Sequence, residues 1–359
     1  MSIKYDHGGN IFSVARQRGM DTSRAADFSA SINPLGISPA VRHAIVDAID
    51  SLIHYPDNNQ SELKSVLSEV HTLAPDCFAV ANGSTEIIYN LPAMMSGKRA
   101  VIVSPAFSEY GYALGQHKWD VIPFILSHEN GFELDMGQLE QAVEKGCDAL
   151  YLCNPGNPSG KLYSRELVAE VYELCRNNGV FFVLDEAFMD FCEDQSAKDA
   201  VVASPNGIVL RSMTKFFGIP GLRLGYAMAA PEVIARLSLL GGPWSVNTLA
   251  QAAGIAALHD HEYTRRTVTY VEQERSFLSE GIAAVGCLQV FESRANFLLV
   301  RIDADTTSTE LRERLLEKWI MIRDCVTFTG LSDKFFRVAV RTREENTRLL
   351  EALRDFFGA

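Results

Sequence analysis

The chain has 359 residues, of which 47% are hydrophobic and 22% are charged, and its formal net charge is −12. This composition indicates a folded globular protein rather than a disordered one, and the length exceeds one ordinary core, so two domains are expected. The acidic balance, without a long basic run, argues against binding to nucleic acid or to an anionic membrane.

The beginning of the chain and its apolar runs predict a cytoplasmic location. The first residues, MSIKYDHGGNIF, lack the apolar core of a signal peptide, and every longer apolar run is broken by charge, glycine or proline. The seven cysteines are scattered and never form a C-x-x-C pair, which predicts reduced, mostly buried thiols. No metal is expected, because His259 to Glu262 are adjacent residues whose side chains would diverge on a helix.

The first two thirds of the chain alternate between predicted helices and strands. Pro39 behind Ser38 indicates the start of a helix over AVRHAIVDAIDSL, and a second amphipathic helix is predicted at about 61–72. Short apolar runs follow, most of them separated by helical segments: FAVAN, AVIVSP, ALYLCNP, VFFVLDEA and GIVLRS. Continuous apolar strands separated by helices predict an α/β fold with a mostly parallel sheet covered on both faces. Ligands of such sheets bind at the carboxyl ends of the strands.

The pattern changes in the last third of the chain. A long helical region is predicted over about 246–285, with a break near His259 and Asp260. Strands are then predicted in CLQVFE, NFLLVRI, WIMIRD and FFRVAVR, alternating with helices at about 307–318 and 344–356. We therefore predict three parts: an N-terminal segment near the active site (1–35), a large cofactor-binding domain (36–250) and a smaller C-terminal α+β domain (251–359).

One window, from Ser212 to Tyr226, combines a hydroxyl, an amine and a guanidinium around a short turn. Lys215 can form a Schiff base with an aldehyde, while Ser212 and Arg223 can both hold a phosphate. A phosphorylated aldehyde cofactor needs this set, and the biological one is pyridoxal phosphate. The alternative is a surface lysine and arginine beside a proline-glycine turn.

Two polar residues follow predicted strands of the same sheet. Asp185 ends VFFVLD, and a buried carboxylate there is costly unless it pairs with a cation such as a protonated pyridine nitrogen. It could instead cap the next segment. Asn157 lies in NPGNPSG, where prolines stiffen the turn so that the amide could face the ring oxygen of the cofactor. This motif alone could equally be a tight turn.

A predicted helix N-terminus after FAVAN offers an anion site. The backbone N–H groups of Gly83, Ser84 and Thr85 are suited to the cofactor phosphate. Phe107, in SPAFSEY, is placed to stack on the cofactor ring, although a core aromatic fits the sequence equally well.

Taken in order, these motifs resemble the fold-type I pyridoxal-phosphate enzymes of the aminotransferase class I and II family, over nearly the whole chain. The motifs are Asn82-Gly-Ser, Asn157-Pro-Ser-Gly, Asp185-Glu-Ala-Phe, Ser212-x-x-Lys215 and Arg223. The resemblance implies that Lys215 is the Schiff-base lysine, that Asp185 pairs with the pyridinium and that Asn157 bonds the ring oxygen. Ser212 and Arg223 would hold the cofactor phosphate with the amides of residues 83–85.

Within that family, five further stretches resemble the branch that decarboxylates L-threonine O-3-phosphate to (R)-1-amino-2-propanol O-2-phosphate in cobalamin biosynthesis. They are His7-Gly-Gly-Asn10, the runs 27–36 and 214–225, Pro243-Trp-Ser-Val-Asn247 and Phe336-Arg-Val-Ala-Val-Arg341. The main alternative is a histidinol-phosphate aminotransferase, which shares the cofactor motifs. A cofactor-binding regulator would need an appended DNA-binding domain, and the chain has no basic patch for one.

The resemblance also implies which residues hold the substrate. Arg337 would grip the α-carboxylate, assisted by Asn33 and Asn157, while Arg323 and His7 would bind the substrate phosphate. Taken alone, His7 could be a solvated residue and Arg323 a surface charge.

Two further features concern the assembly and the reaction. Tyr55, in HYPD, would reach the cofactor phosphate from a partner subunit, which implies a homodimer with shared sites. Many transaminases carry a tyrosine three residues after the pyridinium aspartate, whereas this chain has Phe188 there. That departure matches the decarboxylase pattern, although Phe188 could equally be a packing residue.

Overall fold

The computed structural model describes residues 8–19 and 21–358, and their strands belong to three sheets. The strands are β1 (Ala26–Asp27), β2 (Phe78–Ala81), β3 (Arg99–Ser104), β4 (Asp120–Ile125), β5 (Ala149–Cys153), β6 (Phe181–Asp185), β7 (Gly207–Ser212), β8 (Gly225–Met228), β9 (Leu288–Val290), β10 (Phe297–Ile302), β11 (Ile320–Met321), β12 (Arg323–Asp324) and β13 (Phe335–Ala339).

The helices between these strands vary from a single turn to 23 residues in α12. They are α1 (Ile11–Arg18), α2 (Pro39–Asp47), α3 (Ser61–His71), α4 (Ser84–Met94), α5 (Glu109–Gln116), α6 (Met136–Glu144), α7 (Arg165–Asn177), α8 (Lys198–Val202), α9 (Met213–Phe216), α10 (Pro231–Ser238), α11 (Thr248–His259), α12 (His261–Ala283), α13 (Ser308–Glu317) and α14 (Arg343–Phe357). No helix within the described ranges is both long enough and apolar enough to span a bilayer.

The largest sheet has seven strands in the order β2-β8-β7-β6-β5-β3-β4. The strands from β4 to β7 pair in parallel, and only β8 is antiparallel to its neighbours β7 and β2. Successive residues of the central strands enter different cores: Phe182 and Leu184 pack on one face, and Val183 packs on the other. Burial of both faces explains why these strands are continuous apolar runs in the sequence. The predicted α/β fold with a mostly parallel sheet is confirmed.

Two strands of this sheet were not singled out in the sequence. β4 lies at the edge, its residues are only partly buried or exposed, and it contains Pro123, so it lacks the continuous apolar run of its neighbours. β8 is a four-residue strand that begins at Gly225. Both strands form because they pair with neighbouring strands, and neither has a strong sequence pattern of its own that would predict it.

A smaller antiparallel sheet of four strands, in the order β12-β13-β10-β9, packs with α12, α13 and α14 around a separate core. The predicted strand WIMIRD is split, because β11 pairs in parallel with β1 while β12 pairs with β13. The pairing of Ala26 with Ile320 ties the N-terminal segment to this part of the chain. The domain boundaries after residues 35 and 250 stay a prediction.

Side-chain caps set several helix ends where the sequence indicates them. The Ser38 hydroxyl accepts a hydrogen bond from the Val41 backbone N–H, which confirms the predicted start of α2. The carboxylate of Asp260 accepts from the Tyr263 N–H, so α11 and α12 meet at the predicted break. All seven cysteines are unpaired, and five of them are buried.

Candidate active site

A pocket lies at the carboxyl ends of β5, β6 and β7, bounded on its other side by residues of the small sheet and of the N-terminal segment. Ten of the residues expected to bind cofactor or substrate line it: Ser84, Thr85, Phe107, Asn157, Asp185, Ser212, Lys215, Arg223, Arg323 and Arg337. The expected meeting of strand-end residues in one cleft therefore occurs.

Lys215 lies on α9, the short helix that follows β7, and its amine enters the pocket. Burial lowers the pKa of Lys215 to about 8, and the positive charges of Arg337 and Arg223 act in the same direction. The lower pKa increases the neutral fraction of this amine near neutral pH, and the neutral form is the nucleophile toward an aldehyde.

Asp185 ends β6 and is only 4% exposed. Its Oδ2 accepts a hydrogen bond of 2.5 Å from the Tyr110 hydroxyl, and its Oδ1 accepts one of 2.9 Å from the Ala187 N–H. Burial raises the pKa of the Asp185 carboxyl. A buried carboxylate of this kind is stabilised by a nearby cation, and a protonated pyridine nitrogen fits that requirement.

Two glycines allow close approaches at the N-terminus of α4. Gly83 caps this helix with a φ of 83°, and a Cβ added there would lie 2.6 Å from the Arg223 guanidinium. A Cβ on Gly225 would lie 2.3 Å from the Ser84 backbone nitrogen. The two glycines therefore leave room for the amides of Ser84 and Thr85 to converge with the guanidinium, a donor set that a phosphate prefers. The Gly83 N–H was also expected to take part, but it donates to the Ala81 carbonyl at 2.7 Å.

The hydroxyl of Ser212, at the end of β7, shares a hydrogen bond of 2.8 Å with the Thr214 hydroxyl. Both side chains line the pocket beside Arg223. Together with the α4 amides, they fit the phosphate end of a phosphorylated aldehyde, while Lys215 and Asp185 fit its aldehyde and its ring nitrogen.

Arg337 is held by several groups at once. Its Nη1 donates to Asn157 Oδ1, its Nη2 donates to the Ser29 carbonyl at 3.0 Å, and its guanidinium lies 5.0 Å from the centre of the Phe297 ring. Burial lowers the pKa of Arg337 to about 10. Because Asn157 Oδ1 bonds to Arg337, the amide nitrogen of Asn157 is the group that could donate to a ring oxygen.

Phe188 packs edge-on against Phe297, with ring centroids 4.9 Å apart at 81°. Phe297 in turn lies under the Arg337 guanidinium. Phe188 also lines the pocket. It is thus a packing residue that supports, through Phe297, the Arg337 side chain expected to hold the substrate carboxylate.

Arg323 is 7% exposed, so it is not a surface charge. It pairs with Arg337 across the β12–β13 ladder, donates to the Thr327 hydroxyl at 3.1 Å and lies over the Phe328 ring. Two guanidinium groups are thus placed side by side at the mouth of the pocket, a geometry that suits a ligand with two anionic groups.

Among the described residues, three of those expected at the site do not line the pocket, namely Gly83, Asn33 and Tyr55. Asn33 lies behind Lys215: its backbone N–H donates to the Lys215 carbonyl, and its amide donates to the Phe216 carbonyl and the Thr267 hydroxyl. Tyr55 is 78% exposed and stacks on Trp244 with ring centroids 4.6 Å apart. His7 lies outside the described residues.

Some lining residues were missed from the sequence. Tyr110 lies on α5, three residues after Phe107 in SPAFSEY, and a second aromatic residue in that stretch is the signal that the sequence offers for it. Thr214 and Phe328 also line the pocket, and their residue types gave no signal of their own.

Comparison with known proteins gives a consistent result. The model of the family "Aminotransferase class I and II" matches residues 24–353. The chain is 37% identical to a threonine-phosphate decarboxylase of Salmonella typhimurium, over 97% of this chain and 96% of that protein.

Two solved structures are also similar. A histidinol-phosphate aminotransferase from Clostridium acetobutylicum has a TM-score of 0.87 and 29% identity, covering 93% of this chain and 99% of that one. An L-threonine-O-3-phosphate decarboxylase from Porphyromonas gingivalis has a TM-score of 0.82 and 25% identity, covering 92% of this chain and 99% of that one.

Proposed function

Because the chain belongs to the aminotransferase class I and II family, we propose that it is a pyridoxal-phosphate-dependent carboxy-lyase that acts on L-threonine O-3-phosphate. The products are carbon dioxide and (R)-1-amino-2-propanol O-2-phosphate, which is used in cobalamin biosynthesis. The observation that carries the proposal is the pair of neighbouring arginines, Arg323 and Arg337, at the mouth of a pocket suited to the cofactor. The substrate has two anionic groups, a carboxylate and a phosphate, and each arginine takes one of them.

The cofactor is pyridoxal phosphate, and the pocket provides a residue for each of its polar groups. When bound, pyridoxal phosphate accepts the electrons of the bond that breaks at the substrate α-carbon. Lys215 holds its aldehyde, Asp185 its ring nitrogen and Asn157 its ring oxygen. The phosphate binds the amides of Ser84 and Thr85, the Ser212 hydroxyl and the Arg223 guanidinium, and Phe107 lies against the ring.

Reaction choice depends on how the substrate carboxylate is held, because orientation decides which bond at the α-carbon breaks. Arg337 is bonded to Asn157 and to the Ser29 carbonyl and packed on Phe297, so its guanidinium has little freedom to follow a moving ligand. It holds the carboxylate in the orientation from which carbon dioxide leaves. The Lys215 amine is placed to deliver the proton that the α-carbon needs afterwards, and Asn33 supports the Lys215 segment from behind.

Arg323 binds the phosphate of the substrate, and His7 is part of the same proposal as a second phosphate ligand. The buried position of Arg323 beside Arg337 supports this role, since a desolvated guanidinium gains more from a phosphate than an exposed one does.

The proposed assembly is a homodimer in which Tyr55 reaches the cofactor phosphate of the partner subunit. The high exposure of Tyr55 and of apolar residues near it supports this, because a surface of this kind is normally covered. The proposed location is the cytoplasm, and seven unpaired cysteines are typical of a reducing compartment.

The second candidate is histidinol-phosphate aminotransferase, which the TM-score of 0.87 to such an enzyme favours. Product analysis separates the two activities. With L-threonine O-3-phosphate and no keto acid, we expect release of carbon dioxide over many turnovers, with one amine product for each carbon dioxide.

The control for this assay is Lys215→Ala, which removes the amine but little core volume and should fold while losing turnover. An enzyme that stops after one half-reaction and restarts only when 2-oxoglutarate is added would be an aminotransferase. That result would overturn the decarboxylase proposal.

A further inference from the structure

The Asp185 carboxylate has a second buried partner besides the ring nitrogen proposed for it. The Tyr110 hydroxyl, on α5, donates to Asp185 Oδ2 at 2.5 Å, while the Ala187 N–H donates to Oδ1 at 2.9 Å. Tyr110 and Asp185 are 1% and 4% exposed, so water competes little with this hydrogen bond.

The geometry around Tyr110 keeps its hydroxyl in place. Its ring meets Phe107 edge-on at 5.8 Å and lies 5.5 Å from the Tyr151 ring, measured between centroids. Burial and the neighbouring Asp185 raise the pKa of Tyr110 well above its usual range. The phenol therefore keeps its proton at working pH and can only donate to the carboxylate.

We infer that Tyr110 is a positioning residue whose hydroxyl keeps Asp185 ionised and oriented, so that the proton shared with the cofactor stays on the ring nitrogen. This inference rests on the proposed function, because it concerns pyridoxal phosphate bound in this pocket.

The physical reason is competition for one proton. Two donors on the carboxylate stabilise its charged form and so reduce its affinity for a proton. The ring nitrogen then keeps the proton, and a protonated ring is the stronger electron acceptor. Without the Tyr110 hydroxyl, the carboxylate loses one donor in a buried site, its proton affinity rises, and the proton moves toward Asp185.

The test compares Tyr110→Phe with a matched control, Tyr151→Phe. The Tyr151 hydroxyl is buried next to Tyr110 but has no hydrogen-bond partner within the described part of the chain. Each substitution removes one buried phenolic oxygen, and only the first removes a bond to Asp185. Thermal midpoints of both variants check that each one is folded.

Two measurements report the effect without relying on turnover. Titration of the apoenzyme with pyridoxal phosphate gives the dissociation constant, and the ¹⁵N chemical shift of ring-labelled pyridoxal phosphate reports the protonation of the ring nitrogen. For Tyr110→Phe we expect binding weakened by about tenfold or more, because an Asp185 that takes up the proton no longer forms a charge-assisted pair with the ring nitrogen. The ¹⁵N shift should move toward that of a neutral pyridine, whereas Tyr151→Phe should match the wild type in both measurements.

A double-mutant cycle with Asp185→Asn gives an independent check. If Tyr110 acts through Asp185, then adding Tyr110→Phe to Asp185→Asn should change the pyridoxal phosphate dissociation constant by less than about twofold. Full additivity would overturn the inference. So would a Tyr110→Phe protein with wild-type affinity and a wild-type ¹⁵N shift. A wild-type protein that binds no pyridoxal phosphate would instead overturn the proposed function, so the two failures can be told apart.

Discussion

Arg323 and Arg337 face each other across the β12–β13 ladder, yet their contacts differ. Arg337 donates to Asn157 and to the Ser29 carbonyl, which ties it to the cofactor side of the pocket. Arg323 donates to Thr327 and lies over Phe328, two residues of the segment that follows β12. This difference supports the proposed roles, in which Arg337 binds the substrate carboxylate and Arg323 binds the substrate phosphate.

Arg323→Ala should therefore weaken substrate binding without affecting the cofactor. The lost charge-assisted hydrogen bonds are worth about 1.5–3 kcal/mol, so KM for L-threonine O-3-phosphate should rise by about tenfold or more. The dissociation constant for pyridoxal phosphate should stay within about twofold of the wild type. Steady-state kinetics and a cofactor titration measure the two quantities.

The matched control for Arg323→Ala is Arg301→Ala. Arg301 lies on β10, in the same sheet, where it pairs with Asp303 and does not line the pocket. The Arg301→Ala substitution should leave KM for L-threonine O-3-phosphate unchanged. Equal effects of the two substitutions would indicate a general loss of charge rather than a phosphate site, and the role of Arg323 would be withdrawn.

At the scale of elements, the ends of β6 and β7 are joined by a buried ion pair on the side opposite the pocket. Ser212 faces the pocket, whereas Arg211, the residue before it, points away and is fully buried. Arg211 donates to Glu186 at 2.9 Å and to Glu193 at 2.6 Å. Since Glu186 follows Asp185 and Arg211 precedes Ser212, this pair connects the two strand ends that carry Asp185 and Ser212.

Arg211→Met should destabilise the protein strongly, because it leaves the buried Glu186 carboxylate without its cation. The expected loss in the free energy of unfolding is about 3–5 kcal/mol. Urea unfolding of the cofactor-free protein measures it. The Arg211→Met, Glu186→Met double variant should lose less than the single variant, because it removes both charges. A single variant as stable as the wild type would contradict the importance of this ion pair.

At the scale of the whole molecule, large exposed apolar side chains are concentrated in two segments that the Tyr55–Trp244 ring stack brings together. They are Val46, Ile49, Leu52, Ile53, Tyr55, Leu239, Leu240 and Trp244. Exposed apolar side chains grouped in this way often mark an interface, and Tyr55 is one of them. The surface therefore supports the proposed homodimer with shared sites.

Ile53→Glu should dissociate this dimer. Ile53 is 83% exposed in the single chain but would be covered in the proposed interface, where a charge is unfavourable. The chain itself should still fold, while activity should fall with the loss of dimer. Sedimentation at assay concentration measures the assembly state. Val70→Glu is the control, since Val70 is an exposed apolar residue of α3 outside these segments. A fully active monomer would rule out the shared-site assembly.

Much of the cofactor site could be predicted from sequence because its residues lie close together along the chain or directly at strand ends. Ser212, Lys215 and Arg223 are within one turn-and-strand unit, and Asp185 ends a continuous apolar strand. The parallel sheet itself could be predicted for a similar reason, because burial of both faces leaves uninterrupted apolar runs in the sequence.

Only the tertiary structure decided which distant residues act on these groups. Tyr110 and Asp185 are 75 residues apart in the chain, and their contact depends on how α5 packs against α4, β3 and β4. Arg323 and Arg337 become neighbours through the β12–β13 register, and Asn33 supports Lys215 from behind rather than lining the pocket. Local patterns carry information about residues that share a strand, a turn or a helix face. Contacts between separate elements depend on the packing of the whole chain, which no single stretch of sequence specifies.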